Sequence, residues 1–358
     1  VVCEQLPAGF EDIELLAKEL PKVLANEQIT YRVSKLEIEK DISKLSLSEL
    51  ERAMLLYSYI GHAYMWGKSN VANVIPIQIS RTWYEISQKL ERPPILSYAS
   101  YALNNWKILD PGQPFDVENI SIMQNFLGGV DEDWFIMIHV AIEYEAKEIL
   151  TNLKSYFIEK NLEQSYLQKA LESMKKINAI MNRMPEKCDP FIYYNRVRPY
   201  IFGWKNNPAT PDGVIYEGVD AYRGEPQLFR GETGAQSSIV PALDALLGVT
   251  HSNDPLKEYL DEMRLYMPKE HRELLNGLDV WSKNERSKLD INEESVEIIN
   301  ELIKEVHTFR DKHLEYARVY IYEQSLTNNS NSNIVGTGGT PFMKYLDKHL
   351  QETVPAND

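Results

Sequence analysis

Apolar residues recur through most of the chain at intervals of three and four, the period of a helix with one buried face. The clearest case is ESVEIINELIKEVHTFRDKHLEYARVYIYEQ (294–324). There Ile299, Leu302, Ile303, Val306, Phe309, Tyr316, Ala317 and Tyr320 form a single stripe. His313 lies on that stripe, and Arg310 sits one turn earlier on the same side. GGVDEDWFIMIHVAIEYEAKEILTNL (128–153) repeats the pattern, with Phe135, Ile138, His139, Ile142, Ala146 and Ile149 inward and Asp131 or Asp133 available as a cap. FEDIELLAKELPKVLANEQI (10–29) carries Pro21 near its middle, which predicts a kink or two shorter helices. In LSLSELERAMLLYSYIGHAYMWG (45–67), Ser46 and Glu49 make a capping box and Gly67 a stop; His62 is expected there as a satisfied core or boundary histidine. Further helices are predicted over 79–90, 94–111, 162–184 and 254–268, and a short last one in PFMKYLDKHLQET. His251 and His271 are expected to be solvated. Strand-period segments are almost absent, so the chain is expected to be all-α.

Three stretches break the pattern. CDPFIYYNRVRPYIFGWKNNPATPDGVIYEG (188–218) is dense in aromatics and prolines, with Arg196 and Arg198 embedded in it. Aromatic walls with one arginine suit a planar carboxylate ligand, and a surface-stacked arginine is the alternative. FRGETGAQSSIVPALDALLGV (229–249) begins as a small-residue loop and becomes a helix. It lacks a phosphate-cradling signature, so close packing of backbone against something flat is the other use of such residues. SLTNNSNSNIVGTGGTPF (325–342) has the composition of a mobile loop or lid.

Composition narrows the partners. With 53 acidic against 38 basic residues, a net charge of −15 and no basic block, nucleic acid and anionic membrane are not expected. A small molecule is. The longest apolar run, 134–142, is half of what a bilayer span needs, and the N-terminus lacks a basic-then-hydrophobic leader, so a cytoplasmic protein is expected. Two cysteines, Cys3 and Cys188, give no disulfide framework and no thiolate cluster. HExxH, GxSxG and a two-histidine, one-carboxylate spacing are also absent. A buried imidazole at His313 is then either bonded to a backbone carbonyl or a metal or haem ligand beside an arginine that faces an anionic group. Two inward histidines on separate long helices, a small-residue loop, an aromatic pocket with arginine and a glycine-rich loop fit a haem protein best, and the residues do not choose which histidine binds iron.

The blocks FRGETGAQSSIVPALDALLG, RLYMPKEHRELL, FRDKHLEYARVYI and GTGGTPFMKYL, preceded in order by AYMWG, RPPILSYASYALNNWK and RPYIFGWKNNPATPDGVIYEG, resemble the indoleamine 2,3-dioxygenases over nearly the whole chain. The resemblance implies an all-helical fold with a small N-terminal domain, 1–126, and a large haem-binding domain, 127–358. It implies haem b and insertion of O2 across the indole C2–C3 bond of tryptophan to give N-formylkynurenine, with an electron donor keeping the iron ferrous. Carried over by position, it makes His313 the proximal iron ligand, Arg310 the arginine near a propionate, and Asp244 its carboxylate partner. Arg198 becomes the partner of the substrate carboxylate. Tyr98, Phe135 and Tyr193 enclose the indole. Thr233, Gly234 and Ala235 lie against the haem edge, and Thr337 near the substrate ammonium. Three positions depart from the family: His139 stands for a distal serine, Phe202 for a small residue and Glu232 for a glycine. Haem-dependent monooxygenation of an indole, or oxygen binding without turnover, would use the same features.

Overall fold

The structure, a computed structural model, describes residues 2–159, 164–250, 255–286, 292–327, 336–339 and 342–353. Helices dominate. In chain order they are α1 (Glu11–Lys18), α2 (Leu20–Ala25), α3 (Ile29–Val33), α4 (Leu47–Trp66), α5 (Ile77–Leu90), α6 (Val130–Glu159) and α7 (Gln164–Met181). There follow α8 (Pro190–Ile192), α9 (Ile239–Leu247), α10 (Pro255–Arg264), α11 (Lys269–Asn284), α12 (Glu293–Ala317), α13 (Glu323–Thr327) and α14 (Phe342–Glu352). The all-α expectation holds. Pro21 sits in the first turn of α2, where its missing N–H costs nothing, and the predicted break falls between α1 and α2. Ser46 and Glu49 close the capping box at the start of α4.

Among the described residues two pairs of very short strands form: β1 (Val74–Ile75) with β4 (Ile215–Tyr216), parallel, and β2 (Trp106–Ile108) with β3 (Ile120–Ile122), antiparallel. The second pair corrects the helix expected over 94–111. Only a π-turn, Ala99–Leu103, forms there, because Asn105 is drawn into tertiary bonds: its side chain donates to the Tyr59 hydroxyl at 3.0 Å and the Gln124 carbonyl at 2.8 Å. Lys107 and its neighbours then pair with 120–122.

Apolar side chains collect into two cores. One is built on α1, α2, α4 and α5 and takes in Trp204, Val214, Tyr216, Met263 and Tyr266 from later in the chain. The other is built on α6, α7, α9, α11 and α12, and Phe115, Phe135 and Met137 pack against both. The α12 stripe is buried as its spacing predicts, through Ile298, Ile299, Leu302, Ile303, Val306 and Ala317. Asn178 of α7 ties α12 down by donating to the Glu305 carbonyl and carboxylate, at 3.0 and 2.7 Å. Tyr316 and Tyr320 donate to the carbonyls of Met181 and Cys188 at 3.0 and 2.8 Å. Those bonds set the roll of α12, and so the direction in which His313 points.

Candidate active site

Three π-turns border the region where the predicted site residues meet: Ala99–Leu103, Tyr193–Val197 and Arg318–Tyr322. Such turns insert one residue into a helical path and turn the following side chains to a new direction. Arg198 follows the second of them, in a short tight turn that holds Pro199, whose missing N–H prevents a regular helix.

His313 lies deep in the protein, where loss of water pushes its imidazole down to about 4, with His139 and Arg310 adding to the effect. Its side chain nevertheless carries accessible surface. A side chain that is both deep and accessible lines an internal space. Among the described residues neither nitrogen of His313 has a hydrogen-bond partner, unlike His62, which donates from Nδ1 to the Tyr200 carbonyl at 2.7 Å and accepts at Nε2 from the Leu96 N–H at 3.1 Å. His62 is the satisfied core histidine that was expected, its pKa lowered by burial to about 3. His313 is not. Neutral at physiological pH, it offers a lone pair to the space in front of it.

His139 faces the same space from α6. Its Nδ1 donates to the Phe135 carbonyl at 2.7 Å, which leaves Nε2 as an acceptor, and burial lowers its pKa. Phe135 stacks obliquely on it at 4.5 Å and on Tyr193 at 4.6 Å, while Tyr98 meets it edge-on at 6.0 Å. These four rings form one aromatic wall. Arg198 closes its far end, almost fully buried, with its guanidinium 4.5 Å from the Phe202 ring and 5.3 Å from that of Tyr194.

The small-residue loop forms another wall. Thr233 caps the turn Gly234–Gln236 by accepting from the Ala235 N–H. A Cβ built on Gly234 would meet nothing within 4 Å, so open space lies against the loop. Gln236, buried beneath it, accepts from the Tyr98 N–H at 2.8 Å and donates to the Gly231 carbonyl at 2.9 Å, joining the loop to the aromatic wall. Gly203 and Gly231 bring the Arg198 segment and this loop together backbone to backbone. A Cβ on Gly231 would stand 2.3 Å from the Gly203 nitrogen and 2.4 Å from the Ile201 oxygen. Residues 336–339 dock over the seam: Thr337 donates its hydroxyl to the Glu232 carbonyl at 2.5 Å, and Arg230 donates to the Gly338 carbonyl at 2.6 Å. His251 and most of the 325–342 loop lie outside the described residues.

Below His313, Arg310 and Asp244 form a buried ion pair at 2.7 Å, and Arg310 also donates to the Thr353 hydroxyl. The structure thus brings together His139, Phe135, Tyr98 and Tyr193 ring to ring, with His313 near His139 and Arg198 near Tyr193, Gln236 joining them to the Thr233–Ala235 loop, and the Arg310–Asp244 pair one turn from His313. One group escaped the sequence reading and one was placed wrongly by it. Glu143 lies one turn beyond His139 on the same face of α6, accepts from the Ser237 hydroxyl at 2.6 Å, neighbours the Tyr98 hydroxyl, and is pushed by burial to about 7. The i, i+4 spacing from His139 was the available signal. His271, expected in solvent, is instead part-buried with Nδ1 3.0 Å from the Ser238 hydroxyl, and burial lowers its pKa.

The donor set suits a metal carried inside a flat organic ligand. Among the described residues no three histidine, cysteine or carboxylate side chains converge as a metal site. One neutral imidazole, an open loop edge and a charged arginine fit a haem with its iron on the histidine and an anionic edge nearby. The family model described as indoleamine 2,3-dioxygenase matches residues 2–356. Indoleamine 2,3-dioxygenase 1 of Rattus norvegicus is 34% identical over 96% of this chain and 88% of its own. The enzyme of Saccharomyces cerevisiae is 30% identical over 87% and 79%, and indoleamine 2,3-dioxygenase 2 of Homo sapiens 26% identical over 98% and 90%.

Proposed function

Because the chain belongs to the indoleamine 2,3-dioxygenase family, we propose that its site takes L-tryptophan or a closely similar indole and yields N-formylkynurenine. The family's enzymes are haem-dependent oxidoreductases, and haem b with its iron is the cofactor. The observation that carries the reading is the deep, accessible imidazole of His313, free of hydrogen bonds among the described residues and near enough to His139 and Arg310 for both to act on it.

In this reading His313 would hold the iron and Arg310 would pair with an anionic edge of the haem, while Asp244 orients Arg310. Thr233, Gly234 and Ala235 give the ring system its flat approach. The bound haem supplies the oxygen chemistry, and an electron donor keeps its iron reduced. What the chain supplies is placement. Tyr98, Phe135 and Tyr193 hold the indole plane, Arg198 takes the carboxylate in a two-pronged bond, and residues 336–339 exclude water from above. His139, with Nδ1 committed to the Phe135 carbonyl, presents Nε2 as an acceptor for the indole N–H. No strong general base is needed.

The purified protein is expected to show a Soret band that His313→Ala removes. One turnover of the reduced protein with labelled O2 and L-tryptophan should give a product heavier by both oxygen atoms. A product heavier by one would establish monooxygenation. A stable oxygen complex indifferent to tryptophan would mean that turnover is absent.

A further inference from the structure

Residues 336–339, with the sequence Gly-Thr-Gly-Gly, lie across the seam between the Arg198 segment and the small-residue loop. Four such residues bury little apolar surface, so polar bonds must keep them there. Most of these involve main chain. The Gly203 N–H donates to the Thr337 carbonyl at 3.3 Å, the Asn206 side chain donates to the Gly339 carbonyl at 3.1 Å, and the Gly339 N–H closes a turn onto the Gly336 carbonyl at 2.7 Å. The fit is close. A Cβ on Gly339, whose φ is +76°, would stand 2.4 Å from the Lys205 carbonyl oxygen, and one on Gly338 would stand 2.5 Å from the Tyr259 hydroxyl. What lies beneath is dry: Glu232, whose carbonyl takes the Thr337 hydroxyl, is 4% exposed, and burial pushes its carboxyl up to about 8.

Arg230 adds a charged bond to this set. Its guanidinium donates from Nη1 to the Gly338 carbonyl at 2.6 Å and from Nε to Glu262 at 2.8 Å, and lies 5.0 Å from the centre of the Tyr259 ring. The residue is 7% exposed and its own N–H donates to the Tyr266 hydroxyl at 2.9 Å, so both ends of the side chain are fixed. Glu262 of α10 also takes Lys205 at 2.7 Å; burial opposes its charge, but Arg230 and Lys205 outweigh that and hold its carboxyl below the usual range. One node thus joins α10, the small-residue loop, the segment beyond Arg198 and residues 336–339. A charged donor makes a bond roughly twice as strong as a neutral one, so this contact carries much of the docking. Every partner named belongs to the chain itself. Closure therefore needs no substrate.

We propose that Arg230, aimed by Glu262, is the positioning residue that latches residues 336–339 over the site, and that release of this latch sets how fast the substrate enters and leaves. The inference rests on the site being the indole site. A latch made alike with and without substrate raises the barrier in both directions. Loosening it speeds entry and release together and changes affinity less than either rate. A residue that merely stabilised the fold would leave both rates alone until the protein unfolded.

The test compares the haem-loaded full chain as wild type, Arg230→Met, Gly338→Ala and Gly338→Ala/Tyr259→Phe. The first variant removes the donor. The second drives residue 338 against the Tyr259 hydroxyl with Arg230 and Glu262 intact, and the third takes that oxygen away, leaving ring carbons at 3.4 and 3.5 Å in ordinary contact. Stopped-flow changes in the ferrous haem spectrum give the entry and release rates of L-tryptophan. Amide exchange reads the docking itself: the Gly203 N–H is bonded to Thr337, whereas those of Trp204 and Lys205 are bonded to the Phe229 carbonyl at 2.8 and 2.9 Å and serve as controls. Arg230→Met and Gly338→Ala should each speed release at least fivefold, with faster entry, and speed exchange at Gly203 at least tenfold, the two controls staying within twofold. The double variant should return to within threefold of wild type. Unchanged exchange at Gly203, equal acceleration at all three amides, or unaltered tryptophan rates with Gly203 exposed overturns the latch. A wild-type protein that holds haem and binds no indole overturns the function, and the exchange results, which need no substrate, then judge the docking by itself.

Discussion

Replacing Glu232 by glutamine should stabilise the protein, and increasingly so as the pH rises. An acid whose pKa in the folded protein lies above its unfolded value favours folding fully only below the unfolded value, and that contribution drains away as the pH climbs through the folded one. For Glu232 the interval runs from 4.5 to about 8. At about 1.4 kcal/mol per pH unit, the loss reaches about 3 kcal/mol at pH 7 and about 4 to 5 kcal/mol above pH 8, with under about 1 kcal/mol near pH 5. Glutamine is neutral throughout. Glu132 and Glu143, both pushed to about 7, and the buried histidines titrate in both proteins and cancel in the difference. For a chain of this size, 3 kcal/mol corresponds to a rise of about 4 °C in thermal midpoint at pH 7. Midpoints of both haem-loaded proteins from pH 5 to 8.5, without substrate, give the measurement. A difference that is flat with pH, or that favours wild type above pH 7, would show that the carboxyl is solvated or paired and refute the reasoning.

Other substitutions report on the supports of the site. Arg310→Met takes the guanidinium away from the buried Asp244 carboxylate and should cost about 3 to 5 kcal/mol in urea unfolding, with Arg310→Met/Asp244→Asn regaining most of it. Gly231→Ala must push the backbones of residues 201–203 and 231 apart. A loss of about 2 kcal/mol and weaker tryptophan binding are expected, whereas Gly234→Ala, whose added methyl meets no protein atom within 4 Å, stays within about 0.5 kcal/mol in the haem-free protein. His62→Phe strands the Tyr200 carbonyl and the Leu96 N–H and should cost about 2 to 4 kcal/mol by the same assay.

Periodicity carried the fold where one face of a helix meets one core. The α12 stripe, the division at Pro21 and the Ser46 cap are local features written in adjacent residues, and they appear where their spacing puts them. Where the chain is buried on several sides the signal fails. Residues 94–111 carry apolar side chains at helical spacing, but it is Asn105, bonded to residues 59 and 124, that decides their path. The same division runs through the site. Inward positions of His139 and His313 could be read from their stripes. That His313 lacks the carbonyl partner His62 has, that Gln236 joins two segments, and that Glu232 is buried all depend on segments far apart in sequence.

The contact between Gly203 and Gly231 involves main chain alone, so no neighbouring side chain can shrink to make room for a larger residue at either place. A library randomised at these two positions together should therefore return glycine at both. One residue along from each glycine, Phe202 lies against the Arg198 guanidinium and Glu232 is buried, and neither side chain enters the contact. Descendants of this chain can thus exchange the side chains at 202 and 232 while the distance between the facing segments stays unchanged.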